Sequence, residues 1–255
     1  MLGMKILLTL SYLGTNFSGY QVQKNARTVQ GELNAAARSL FGYDCDVTGC
    51  SRTDAGVHAN MFCATVTKKG ESFLETHISA DRIPAAMNAH LPTDIAVDRA
   101  EWVDDDFHPR YDVKYKEYVY KISNRPTRNP FEEGRAWHIP YIIDEKAVEK
   151  MNSAAQFYVG KHDFSAFMAS GSTVESTVRE VNYAEVSKNG NEIIFKVAAD
   201  GFLYNMVRIM TGTLVAVAQG KIDPEDIPSI IESCDRQRAG MTAAAEGLYL
   251  NRVVY

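Results

Sequence analysis

The chain has 255 residues, 45% hydrophobic and 23% charged, enough to bury a core in one large domain or two of ordinary size, and no stretch reaches membrane-spanning length. A formal net charge of −5 excludes a protein that coats nucleic acid non-specifically, because such binding rests on counterion release by many Lys and Arg. The four cysteines, Cys45, Cys50, Cys63 and Cys234, show no C-x-x-C spacing and lie near no paired histidines, so neither a zinc cluster nor a disulfide framework is indicated and reduced, buried thiols are expected.

In chain order, residues 4–12 read as a strand without a basic leader or cleavage site before it, which predicts a cytoplasmic protein. Residues 28–41 read as a helix, with Thr28 as its cap and Val29, Leu33, Ala36, Ala37 and Leu40 on one apolar face. Strands follow at 44–50 and 60–67, rich in Val, Thr and Phe. A second helical stretch is expected over 72–88, interrupted or restarted at Pro84, and then a strand over 95–103. The order β-α-β-β-α-β is that of a ferredoxin-like half, an antiparallel sheet with both helices on one face.

A boundary is expected near Asp104-Asp105-Asp106, dividing the chain into residues 1–106 and 107–255, after which the element order recurs. Strand 111–123 is followed by a helix over 144–158 opened by Asp144, strands near 176–186 and 192–199, and a strongly apolar helix over 204–218. A shorter helix starts at Pro224, capped by Asp223, and residues 248–254 close as a strand. The repeat is one of element order, so the fold class expected is α+β.

Between the strands at 44–50 and 60–67 lies the run Ser51-Arg52-Thr53-Asp54-Ala55-Gly56-Val57-His58-Ala59. A small-residue turn seated on rigid strands can present a carboxylate to a bulky substrate, with Arg52 and His58 beside Asp54 in the same turn. The same residues also suit a β-turn in which Asp54 only caps its own backbone. Further on, Gly201-Phe202-Leu203-Tyr204-Asn205-Met206-Val207-Arg208 ends an apolar and aromatic run with an arginine. A guanidinium entering a buried helix needs a carboxylate partner, and a carboxylate so paired stays ionised; structural ion pairs do the same. From His108 to Arg135 seven cations stand against four acids, with Tyr111, Tyr115, Tyr118 and Tyr120 interleaved. Such a mixture can meet phosphates and stack on bases, and it can equally be the solvated face of a strand.

Together these segments resemble the tRNA pseudouridine synthases of the TruA family, nearly end to end. The resemblance is carried by Thr28-Val29-Gln30-Gly31-Glu32-Leu33, by Arg52 through Ala59, by Arg110 with Tyr118-Val119-Tyr120 downstream, and by His162-Asp163-Phe164-Ser165-Ala166-Phe167. Gly201 through Arg208 and the closing Glu246-Gly247-Leu248-Tyr249-Leu250 complete it. Ser51 stands where the family has a small glycine and Ala244 where it often has proline; neither touches the carboxylate. The resemblance implies two ferredoxin-like halves joined into one antiparallel sheet, with helices packed on it and a central RNA-binding cleft. It also implies a homodimer that binds the tRNA anticodon stem-loop and isomerises uridines 38, 39 and 40, without metal or organic cofactor. Asp54 takes the place of the catalytic aspartate, Arg52 of the arginine that helps hold the everted nucleotide, Tyr118 of the tyrosine stacked on the base, and Arg208 of the arginine paired with the aspartate; Arg110 is expected to bind substrate.

The chemistry suits those residue types. Uridine becomes pseudouridine when the bond from ribose C1′ to N1 breaks, the base turns, and C1′ rejoins C5, so nothing is oxidised and nothing is added. One carboxylate suffices, through a covalent adduct or by deprotonating a sugar intermediate, in a pocket that keeps water from the detached base. A stacked uridine must first be flipped out. Two rivals are a metal-dependent phosphohydrolase built on His162-Asp163, and a non-catalytic RNA-binding module on a sheet with exposed aromatics.

Overall fold

A computed structural model describes residues 4–171 and 174–255. The chain falls into two compact units, Met1–Lys114 with Leu250–Tyr255, and Tyr115–Tyr249.

The first unit contains β1 (Met4–Tyr12), α1 (Val29–Phe41), β2 (Cys45–Gly49), β3 (His58–Lys68), α2 (Ile83–Asn88) and β4 (Ile95–Asp104). Its strands run in the order β4-β1-β3-β2, every neighbour antiparallel, with Leu8 opposite both Ala64 and Ala100. Alternation places Ile6, Leu8 and Leu10 together on one face, all fully buried. Against the sheet lie Val29, Leu33, Ala36 and Ala37 of α1 and Ile83 and Met87 of α2, and the two helices meet each other. Thr28 caps α1 by accepting from the Gly31 N–H at 3.3 Å, and Gly42, at φ 78°, ends it in the left-handed turn that glycine tolerates best.

The helix expected over 72–88 is realised only at its end, as a short 3-10 turn at Ala80–Arg82 and the six residues of α2. Upstream the backbone has other partners. The Leu74 N–H donates to the Met4 carbonyl, the Lys68 N–H to the Phe73 carbonyl, and the Thr76 hydroxyl accepts from Ile78, a local bond that competes with helix.

The second unit contains β5 (Tyr115–Asn124), β6 (Trp137–Ile139), α3 (Glu145–Gln156), β7 (Gly160–Asp163), β8 (Val178–Asn189), β9 (Glu192–Ala199), α4 (Met206–Ala218) and α5 (Ile227–Ser233). The closing strand β10 (Leu248–Val254) begins here and from Leu250 onward belongs to the first unit. Strands β5, β9, β8 and β7 pair antiparallel in that order, and β6 lies parallel on β5, making the sheet mixed. Asp144 caps α3 by accepting from the Ala147 N–H at 2.8 Å. Helix α4 is apolar on nearly every side and accordingly buried along its length. Strand β5 starts four residues later than the pattern at 111–123 predicts, because the His108 carbonyl takes the N–H groups of Tyr111 and Asp112 and turns the chain there. Among the described residues no helix is long and apolar enough to cross a membrane.

Candidate active site

Asp54 stands on a loop, residues 50–57, whose backbone is fixed at several points. The Thr53 carbonyl accepts from the Tyr20 N–H at 3.0 Å, and the Thr53 hydroxyl meets the Tyr12 hydroxyl at 2.8 Å. The Val57 N–H donates to the Asp54 carbonyl at 3.2 Å, closing a β-turn over Ala55 and Gly56; Gly56 has φ 81°, the third-position geometry that asks for glycine. Arg52 is exposed and Asp54 half-buried, so the turn brings both to the protein surface on a scaffold of buried neighbours.

The segment at residues 13–28 wraps this loop closely. A Cβ on Gly14 would lie 1.9 Å from the Val57 carbonyl oxygen, and one on Gly19 2.8 Å from that of Thr53. The Tyr20 ring stacks on Phe62 with centroids 4.5 Å apart, and the Gly49 Cα leaves room for it. At the far end Arg27 donates to both Asp94 oxygens and to Glu32 and lies 4.2 Å over the Phe17 ring, which anchors the wrap to the fold.

His58 does not share the turn with Asp54. It is the first residue of β3, fully buried, and its Nδ1 accepts from the Gly14 N–H at 2.9 Å, so its ring ties the wrapping segment to the sheet. Ser51 is not among the described residues with positive φ, so the position does not require the glycine expected there.

Arg110 is exposed on the turn after β4. Its N–H donates to His108 Nδ1, its guanidinium lies 6.0 Å from the centre of the Tyr111 ring, and Tyr111 is 75% exposed. The turn is held by the Tyr255 hydroxyl, which donates to the Pro109 carbonyl.

Tyr118 and Arg208 belong to the second unit. Tyr118 sits on β5 opposite Val197 and is almost buried, its ring edge-on to Phe202 at 5.0 Å. Tyr120, two residues along and therefore on the same face, donates its hydroxyl to the Ala244 carbonyl at 2.5 Å. Burial pushes the Tyr120 hydroxyl above the ordinary tyrosine range, and the Arg208 guanidinium nearby opposes that rise. Arg208, in the first turn of α4, donates from Nε to the Ala243 carbonyl at 2.8 Å and from Nη1 to Asn205 Oδ1 at 2.8 Å. The Ala243 N–H returns a bond to the Arg208 carbonyl. Both acceptors are neutral, so the guanidinium is fixed in direction without its charge being cancelled by them.

Reading the residues alone does not find Asn205 and Ala243, which hold Arg208, or Gly14 and Gly19, which make room around Asp54. Asn before a helix signals a cap, and only the folded backbone turns its amide elsewhere. His162 and Asp163 serve their own turn: His162 Nε2 bonds the Val159 carbonyl at 3.0 Å and Asp163 accepts from the Ser165 N–H at 2.9 Å. Among the described residues no group of three or more His, Cys, Asp or Glu side chains is placed to hold a metal ion.

A family model described as "tRNA pseudouridine synthase" matches residues 9–112 and 154–255. A "tRNA pseudouridine synthase A" of Ruminiclostridium cellulolyticum is 45% identical over 252 residues, covering 98% of this chain and 99% of that protein. One of the same description from Thermoanaerobacter sp. is 43% identical over 250 residues, with the same coverage. Among solved structures, a chain of a "Cbf5-Nop10-Gar1 Complex" is similar at 12% identity and a TM-score of 0.35, over 96% of this chain and 57% of that one.

Proposed function

Because this chain belongs to the tRNA pseudouridine synthase family, and is an isomerase acting on tRNA, we propose that it converts uridine to pseudouridine at positions 38, 39 and 40 of the anticodon stem-loop, with Asp54 as the catalytic carboxylate. The target uridine is flipped out of the stem, at a cost of about a few kcal/mol that contacts to the RNA backbone offset. Arg52, beside Asp54, holds the everted nucleotide, and Arg110 with the exposed Tyr111 adds a cation and a stacking surface.

Asp54 then acts at the sugar, either by bonding to C1′ or by drawing a proton from the ribose, and the C1′–N1 bond breaks. The detached base turns and C5 bonds to C1′ as the Asp54–C1′ bond breaks or, on the other route, as the proton drawn from the ribose returns to it; C5 then loses its proton and N1 gains one. Atoms and electrons balance within the substrate, so the reaction calls for no external oxidant or reductant. Tyr118 packs on the base and excludes water from it; its near-complete burial against Phe202 suits an aromatic wall. Arg208 serves as the counter-ion that keeps the carboxylate ionised.

The observation that best supports the reading is the rigidity of the Asp54 loop. A carboxylate that only capped a surface turn would not need two glycines pressed against its backbone and two tyrosines bonded to Thr53. The reading takes the halves divided near residue 106 as ferredoxin-like, which the β4-β1-β3-β2 order of the first unit supports, and takes two copies of the chain to hold one tRNA in the cytoplasm.

An unmodified tRNA transcript with uridines at 38, 39 and 40 tests it. After incubation with the protein, carbodiimide treatment and reverse transcription should give stops at those positions and nowhere else. Stops confined to other positions, or none on any tRNA, would overturn the assignment.

A further inference from the structure

Asn205 breaks two local rules at once. It occupies the cap position of α4, where an asparagine ordinarily turns its side-chain oxygen onto a backbone N–H of the first turn, yet it makes no such bond. Its backbone also sits at φ 61°, ψ 9°, the left-handed region that residues other than glycine seldom occupy. In exchange its Oδ1 accepts from Arg208 Nη1 at 2.8 Å. A cap given up and a strained backbone kept, for one bond to a guanidinium, is the kind of local inconsistency that collects at functional sites.

The other anchor of Arg208 is firm. Ala243 exchanges bonds with Arg208 in both directions, and the segment before it is pressed onto α4: a Cβ on Gly212 would lie 1.8 Å from the Met241 carbonyl oxygen. Arg236 adds a bond to the Gly240 carbonyl at 2.9 Å, and the Gly240 N–H donates to the Thr213 hydroxyl at 2.8 Å. Backbone contact at Nε fixes one point of the guanidinium; a second acceptor, at Nη1, fixes the direction of its plane.

We infer that Asn205 is a positioning residue for the isomerisation: its side-chain oxygen aims the Arg208 guanidinium. The inference rests on the role proposed for Arg208. A neutral oxygen is the acceptor such a role calls for, since a carboxylate at 205 would compete for the charge that an external carboxylate is to use. Asparagine is also the residue type that combines that oxygen with tolerance of left-handed backbone.

Asn205→Gly separates aiming from folding, because glycine suits φ 61° at least as well and removes only the side-chain acceptor. The single-turnover rate on tRNA should fall about tenfold or more, the scale expected when a reacting geometry loosens by a fraction of an ångström, with KM for tRNA within about twofold and a melting temperature within about 5 °C of wild type, since relief of the left-handed backbone offsets the lost bond and the added chain entropy. In an Arg208→Gln background the same change should have no further effect, since the residue it aims is gone. A wild-type rate for Asn205→Gly beside a slow Arg208→Gln would overturn the inference and leave the role of Arg208 standing; so would an undiminished loss in the double variant. A wild-type rate for Arg208→Gln would remove the role of Arg208, and the inference with it.

Discussion

Gly14→Ala places a methyl group 1.9 Å from the Val57 carbonyl oxygen, 2.6 Å from its carbon and 3.1 Å from the carbonyl carbon of Gly56, all of them backbone. Side-chain carbons keep about 3 Å or more from such atoms, so the two segments must part by roughly 1 Å. Val57 closes the turn on the Asp54 carbonyl, and the displacement therefore reaches Asp54. Overpacking of this kind costs about 1–3 kcal/mol, and weakening the Gly14 bond to the buried His58 adds about 1 kcal/mol. The smaller entropy of the unfolded alanine chain returns about 0.4–1 kcal/mol, leaving a net loss of about 1–3.6 kcal/mol. On the folded fraction, a misplacement of about 1 Å at the reacting group should lower turnover about 100-fold. Gly42→Ala is the control. At φ 78° with nothing within 4 Å it should cost about 1–2 kcal/mol by backbone strain and leave the single-turnover rate at wild type. Urea unfolding and single-turnover kinetics on tRNA read both quantities. A Gly14→Ala protein with wild-type stability and wild-type rate would refute the claim that Gly14 makes room for the Asp54 loop.

Ala244 has φ −56°, ψ 146°, which proline adopts without strain, so Ala244→Pro should raise stability by about 0.4–1 kcal/mol in urea unfolding; a loss would show that its ring collides with Ala243 or Tyr120. The Ser123 hydroxyl, then Asn129 and neighbouring cations, hold the Glu132 carboxyl below its ordinary value of 4.5. A depressed carboxyl contributes stability above that value and loses it as pH falls through the lower folded one, so as pH falls below 4.5 wild type should lose more stability than Glu132→Gln. Parallel pH profiles of the two proteins would contradict this. Of the thiols, Cys234 is exposed, whereas Cys50 is fully buried and burial pushes Cys63 up and Cys45 to about 11. Ellman's reagent at pH about 8 should therefore find one fast thiol in the native protein and the other three only on unfolding; a second fast thiol would count against the packing around β2 and β3.

What could be read from the residues follows from how local the governing forces are. Strand β1 and helix α1 were legible because a short apolar run, the Thr28 cap and the apolar face of the helix all act within a few residues of the elements they define. Strands β9 and β10 were legible at both ends for the same reason. The stretch at 72–79 was misread as helix because its outcome depends on Met4, more than sixty positions away, offering a carbonyl to Leu74. Strands β6 and β7, of three and four residues, exist through pairing with β5 and β8 and have no period of their own. Among the candidate site residues, Asp54 and Arg208 stood out as unusual in their surroundings, whereas Tyr118 was one of four interleaved tyrosines and was singled out only by the family resemblance. The burial of His58, the clamp of Gly14 and Gly19 on the loop, and the turning of Asn205 from helix cap to guanidinium acceptor are contacts between distant segments or backbone choices that composition does not carry.

Release of tritium from tRNA labelled at C5 of uridine tests the central claim most directly, because that hydrogen leaves only when C5 takes the bond to C1′. Wild-type protein should release it in proportion to the pseudouridine formed, while Asp54→Asn binds the same tRNA with comparable affinity and releases none. Release by Asp54→Asn at the wild-type rate would contradict the account, since isomerisation would then proceed without the carboxylate on which it depends.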